Sequence, residues 1–119
     1  MLFYCLLPLF RPASLNRLSG LLPKIITVDS ARLEEYKAYL KEEIEASMRL
    51  EPGVLVLYAV AEKERPHHVT ILEIYVDEAA YKSHIATSHF QKYKKGTLDM
   101  VQSLELVDTT PLIPGLKIK

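Results

Sequence analysis

The chain is 119 residues long, 49% hydrophobic and 25% charged, a length and composition that suit one folded domain rather than a disordered segment. Its 15 basic and 15 acidic side chains cancel, so no basic excess points to nucleic acid. A single cysteine, Cys5, excludes an internal disulfide or a thiolate metal cluster and suits a reducing compartment, so a cytoplasmic location is expected.

Residues 2–10 are apolar apart from Tyr4 and Cys5, a run far too short to cross a bilayer. Arg11 and Arg17 follow the run and nothing basic precedes it, the reverse of a signal peptide. Residues 1–23 therefore read as an N-terminal extension, 24–108 as the domain and 109–119 as an extended tail holding Pro111, Pro114 and Gly115. No membrane association is expected.

The first strand should begin near Lys24, because Pro23 cannot donate to a sheet ladder, and run to Val28. Asp29 or Ser30 then caps a helix in which Leu33, Tyr36, Leu40, Ile44 and Met48 recur at steps of three and four. Pro52 and Gly53 stop it. Residues 54–62 and 69–76 are two apolar strands separated by a polar turn with Pro66, which predicts a hairpin. Asp77 starts a helical stretch through Ala86, and a second helical piece runs from about Ser88 to Lys92, Lys94 and Lys95, with Gly96 just beyond it. The last strand is expected over residues 102–108.

Strand, helix, strand, strand, helix, strand is the split βαβ order: an α+β, ferredoxin-like domain with a four-stranded antiparallel sheet and its helices on one face. Yet the hairpin is apolar on both sides, with Val54, Val56, Tyr58 and Val60 alternating against Leu55, Leu57, Ala59 and Ala61. An antiparallel sheet with a wet face should alternate with polar residues. A two-fold homodimer stacked sheet on sheet would cover the second side; a terminal segment folded over its own sheet would be the other solution.

Three stretches carry a resemblance: EPGVLVLYAV (51–60), ILEIYVDEAAYKSH (71–84) and HIATSHF (84–90). Together they are similar to the antibiotic biosynthesis monooxygenase family, in its quinol monooxygenase-like branch, over about residues 25–108. The resemblance implies a dimeric α+β barrel that binds a small aromatic or conjugated molecule. It also implies oxidation by dioxygen without metal, haem or flavin, so no cofactor is expected. The chain has no tryptophan and its one asparagine, Asn16, lies outside the matching stretch. That departs from members that place those residues in the pocket, and it disfavours the haem-degrading branch.

Chemistry of this kind needs a base, donors for an oxyanion and a dry pocket. His84 matches the family's helix histidine and Glu73 its central strand glutamate; these are the candidate catalytic residues. Tyr58, Tyr75, His89 and Phe90 are candidate substrate-binding residues. Each has a structural alternative: a packed tyrosine, a histidine bonded to backbone, a carboxylate acting as a hydrogen-bond hub. His84 and His89, five apart, are poorly placed as joint metal ligands, and no metal is expected. No phosphate loop, dinucleotide motif or Ser-His-Asp pattern is present. The expected function is oxidation of a small quinol- or phenol-like substrate. An isomerase or tautomerase of a small hydroxy-carbonyl compound, or a non-catalytic ligand-binding dimer, stands as the alternative.

Overall fold

A computed structural model describes residues 21–113. The expected extension up to residue 20 and the tail beyond residue 113 lie outside them. The elements are β1 (Leu21–Val28), α1 (Leu33–Leu50), β2 (Val54–Ala61), β3 (His68–Tyr75), α2 (Glu78–Ile85), α3 (Ser88–Thr97) and β4 (Val101–Leu106). A short 3-10 turn, Ser30–Arg32, precedes α1, and the Asp29 carboxylate accepts from the Ala31 N–H at 3.0 Å to cap it. The four strands form one antiparallel sheet in the order β2-β3-β1-β4. This is the ferredoxin-like arrangement that the element order predicts.

β1 starts three residues earlier than expected and contains Pro23. The proline sits where the β1–β4 ladder ends at Lys24 opposite Leu106. Its carbonyl still accepts from the Val107 N–H at 3.0 Å, so only an end-of-ladder donor is missing. β1 and β3 pair over seven residues, with Leu22 opposite Glu73 and Lys24 opposite Ile71.

The helices cover one face of the sheet. Leu22, Ile26 and Val28 of β1, Leu57 of β2, and Val69, Ile71 and Tyr75 of β3 form the core with Tyr36, Leu40, Tyr81, Phe90 and Tyr93 from the helices. A bulge between Val54 and Val56 shifts the register of β2. Val54 consequently shares the buried side with Leu57, where strict alternation would have set the two on opposite faces.

On α1 the inward positions are Tyr36, Leu40, Glu43 and Ser47, whereas Met48 is exposed. Of the apolar stripe read from the sequence, Leu33, Tyr36, Leu40 and Ile44 pack on the core and only Met48 does not, while Glu43 and Ser47 make the inward side of the second half partly polar. Gly96 is another departure: it lies inside α3 rather than beyond it. A Cβ there would stand 2.3 Å from the Tyr39 ring, so the glycine permits close packing of α3 on α1. The same helices are joined by the Tyr36 and Tyr93 hydroxyls, 2.8 Å apart.

The other face of the sheet carries Ile25, Tyr58, Val60, Leu72 and Ile74, aligned across three strands. The described part of the tail does not cover it, since Leu112 and Ile113 are both exposed. Among the described residues no helix is long and apolar enough to cross a membrane.

Candidate functional site

Glu73 projects from β3 into the layer between sheet and helices and is 2% exposed. A carboxylate in that position must be partnered. Lys24, its diagonal neighbour on β1, places Nζ 2.8 Å from Oε2. The Tyr75 hydroxyl, two residues on along the same face of β3, donates to Oε1 at 2.8 Å. Burial, reinforced by the charge and hydrogen bond of Glu73, pushes the Tyr75 phenol well above the usual tyrosine range. Tyr75 is thus a fixed donor.

His84 lies in the last turn of α2, also 2% exposed. Its Nε2 is 3.2 Å from Glu43 Oε2 and its Nδ1 is 3.1 Å from Glu51 Oε2. The Ser47 hydroxyl donates to the same Glu43 oxygen at 3.0 Å. With a carboxylate facing each ring nitrogen, both nitrogens act as donors when a proton occupies each, which is the imidazolium form. Burial by itself lowers the pKa of His84. The hydrogen bond and charge of Glu43, with the charges of Glu51 and Glu73, more than offset this, and the net shift is upward.

Glu51 is the residue at which α1 ends, its N–H donating to the Ser47 carbonyl at 3.0 Å. The Pro52–Gly53 turn that follows docks on the start of α2. There a Cβ on Gly53 would meet the Ala80 Cβ at 2.6 Å, and the Gly53 carbonyl accepts from the Val76 N–H at 2.9 Å. His89, in the first turn of α3, brings Nε2 to 2.5 Å from Glu51 Oε2. The two histidines meet at one carboxylate because the chain breaks at Ala86–Thr87. Thr87 is extended, accepts from the Phe90 N–H at 3.1 Å, and starts a new helix. Angular spacing along a single helix, the ground for expecting the two rings apart, does not apply across that break.

A cleft of about 260 Å³, its open mouth included, lies against this group. Leu22, Lys24, Glu73, Tyr81, His84, Ile85, Phe90 and Leu106 line it, and its interior has room for about one water molecule. Phe90 packs on the His84 ring at 5.1 Å between centroids, and Lys24 Nζ stands 5.7 Å over the Phe90 ring.

Of the residues singled out from the sequence, the structure gathers Glu73, Tyr75, His84, His89 and Phe90 in one place. Tyr58 is not with them: it is 67% exposed on the opposite face of the sheet. Lys24, Glu43 and Glu51 were missed. Glu43 had a signal, since it falls three residues after Leu40 and seven after Tyr36 on the inward stripe of α1.

A ferredoxin-like sheet whose helix-covered side holds a small cleft walled by a carboxylate, an ammonium and an imidazole defines a compact α+β domain equipped for acid–base chemistry. The profile of one family, antibiotic biosynthesis monooxygenase, matches residues 25–96, and the chain belongs to that family. A protein of Bacteroides thetaiotaomicron VPI-5482, provisionally assigned as an antibiotic biosynthesis monooxygenase, is 75% identical. It superposes with a TM-score of 0.84 over 88% of this chain and 99% of its own. A provisionally assigned monooxygenase of Lactobacillus acidophilus NCFM is 25% identical, with a TM-score of 0.70 over 76% of this chain and 46% of its own. A Nitrosomonas europaea protein with a similar provisional assignment shares the fold, at 19% identity and a TM-score of 0.75 over 82% of this chain and 94% of its own. No curated protein matches the chain.

Proposed function

We propose that the domain is an oxygenase that inserts one atom of dioxygen into a small quinol- or phenol-like substrate, with the substrate itself supplying the electrons. The observation that carries this reading is the shared cleft of Glu73, Lys24 and His84 beneath the aromatic wall of Tyr81 and Phe90. A substrate hydroxyl entering the cleft meets the Glu73 carboxylate as proton acceptor. The Lys24 ammonium stabilises the oxyanion that results, the His84 ring packs beside it as part of the wall, and the apolar lining keeps water away. The electron-rich anion gives an electron to dioxygen, and the radical pair combines into a ring peroxide. Loss of water from that peroxide leaves a hydroxyquinone from a quinol and a quinone from a phenol. One oxygen atom stays in the product and the other leaves in water, and the substrate gives up the two hydrogens of that water. In its closed form the cleft is smaller than ordinary ligand pockets, so an aromatic ring enters only when the walls part.

The same groups would also serve an isomerase or tautomerase, which moves a proton without consuming oxygen. What favours this second reading is the pairing of a carboxylate with a positively charged donor on one cleft. The test is oxygen uptake by the full chain with a panel of hydroquinones and phenols, run beside anaerobic turnover. Uptake matched to hydroxyquinone formation from a quinol or quinone formation from a phenol, and lowered at least 100-fold in Glu73→Gln, is the expected result. Turnover that continues without oxygen moves the assignment to the isomerase. Ligand binding without turnover under either condition leaves a binding protein.

The functional unit is read as a homodimer in which the Ile25, Tyr58, Val60, Leu72 and Ile74 face is buried against its twin. What supports this is the alignment of five apolar side chains on a face that the described tail leaves open.

A further inference from the structure

Glu51, His84 and His89 come from three separate pieces of structure, the end of α1, the last turn of α2 and the first turn of α3. One ligand atom from each, a carboxylate oxygen, His84 Nδ1 and His89 Nε2, lies within 4.8 Å of the other two. Glu51 Oε2 is 3.1 Å from His84 Nδ1 and 2.5 Å from His89 Nε2. Donors bound tetrahedrally at about 2.0–2.2 Å from an ion stand roughly 3.3 Å from one another. Side-chain adjustments of about 1 Å would therefore seat an ion among them.

We propose that Glu51, His84 and His89 form a binding site for one divalent transition-metal ion of the zinc class, with the protein supplying three ligands. Two imidazoles and a carboxylate make a nitrogen-rich set that suits zinc, cobalt or iron(II) rather than magnesium or calcium, which take oxygen ligands.

The surroundings of His84 are those a ligand needs. Glu43 faces its Nε2 at 3.2 Å and is itself held by the Ser47 hydroxyl. That bond holds the proton on Nε2, so an ion that displaces the Nδ1 proton meets a lone pair directed toward Glu51, the carboxylate–histidine–metal order found at protein metal centres. Glu43 is 4% exposed, so the support is fixed by packing. Glu51 is fixed by the turn that ends α1, its carbonyl accepting from the Val54 N–H at 3.0 Å. The break that brings His89 alongside is fixed by the Thr87 hydroxyl, which donates to the His84 carbonyl at 2.8 Å.

Neither Glu51 nor His89 lines the cleft; His84 alone belongs to both. The ion would sit behind the cleft wall and join three helix ends, acting as a clamp. It does not depend on the oxygenation proposed above.

The test uses the full chain, stripped with a chelator and titrated with Zn²⁺ by calorimetry and with Co²⁺ by visible absorption. One ion per chain with sub-micromolar affinity is expected, with a higher melting temperature. His89→Ala should weaken binding at least 100-fold and Glu51→Gln at least 10-fold, each with unchanged circular dichroism. Cys5→Ser and the double variant His67→Ala/His68→Ala should bind as the parent does. Absence of stoichiometric binding at micromolar concentration overturns the proposal. Binding that survives His89→Ala but is lost in either control also overturns it. Because no readout involves turnover, a failure here and a failure of the oxygenase reading are told apart.

Discussion

Lys24 and Glu73 meet diagonally across the β1–β3 ladder, Nζ 2.8 Å from Oε2, with side chains 11% and 2% exposed. Removing one partner from a buried pair leaves an uncompensated charge, which costs more than the pair itself contributes. Lys24→Met should lower stability by about 3 kcal/mol in urea unfolding. Adding Glu73→Leu should recover most of that loss, since a well-packed apolar pair replaces a buried ionic one at little cost. A single variant that unfolds with the parent's midpoint would show that water reaches Glu73 and that the site is not dry.

The outer sheet face gives a prediction about assembly. Tyr58→Lys combined with Val60→Glu places charge on two neighbouring rows of that face, where a stacked twin sheet would have to desolvate it. Sedimentation should show the parent as a dimer at micromolar concentration and the double variant as a monomer of unchanged secondary structure. A parent that sediments as a monomer removes the homodimer, and residues 1–20 become the segment to test as the cover.

Tyr75 sets a limit on alkaline stability. Its phenol is held above the ordinary range near 10, so between that value and the raised one the folded protein keeps a proton that the unfolded chain releases. Stability at this residue is therefore fully present below about pH 10 and lost as the pH rises through the raised pKa. Absorbance at 295 nm should show fewer of the seven tyrosines ionising in the folded protein than in the denatured one. Tyr75→Phe should reduce only the denatured amplitude.

Gly53 is the closest packed point between the α1–β2 turn and α2. A methyl group added there meets the Ala80 Cβ at 2.6 Å, and neither atom has a flexible side chain by which to move away. Gly53→Ala should cost about 1–3 kcal/mol. It should also shift Glu51, two residues away, and so weaken any ion held by Glu51. Ala80→Gly in the same chain should restore stability if the clash is the cause.

Much of this protein is legible in the sequence because its signals are local. The period of α1, the Asp77 cap, the polar turn between two apolar strands and their order suffice for the ferredoxin-like arrangement. The stretches that carry the family resemblance point to Glu73 and His84. The apolar character of both sides of the hairpin is likewise readable one strand at a time, although the side a residue takes is not. The β2 bulge near Leu55 moves Val54 to the inner face, and nothing in the alternation of residues 54–61 announces it.

The site is another matter. Lys24 and Glu51 read as ordinary surface charges until β1 is laid beside β3 and α1 is docked across them, and the stripe of α1 that turns Glu43 inward does not name its partner. The histidines come together only because the helix breaks at Thr87 and restarts in a new direction. Hydrophobic periodicity and capping depend on neighbours a few residues apart, so the sequence by itself determined the elements and their order. The partner of a buried charge is chosen across distances of 49 residues, as from Lys24 to Glu73, and only the folded sheet and the helices packed on it decide that.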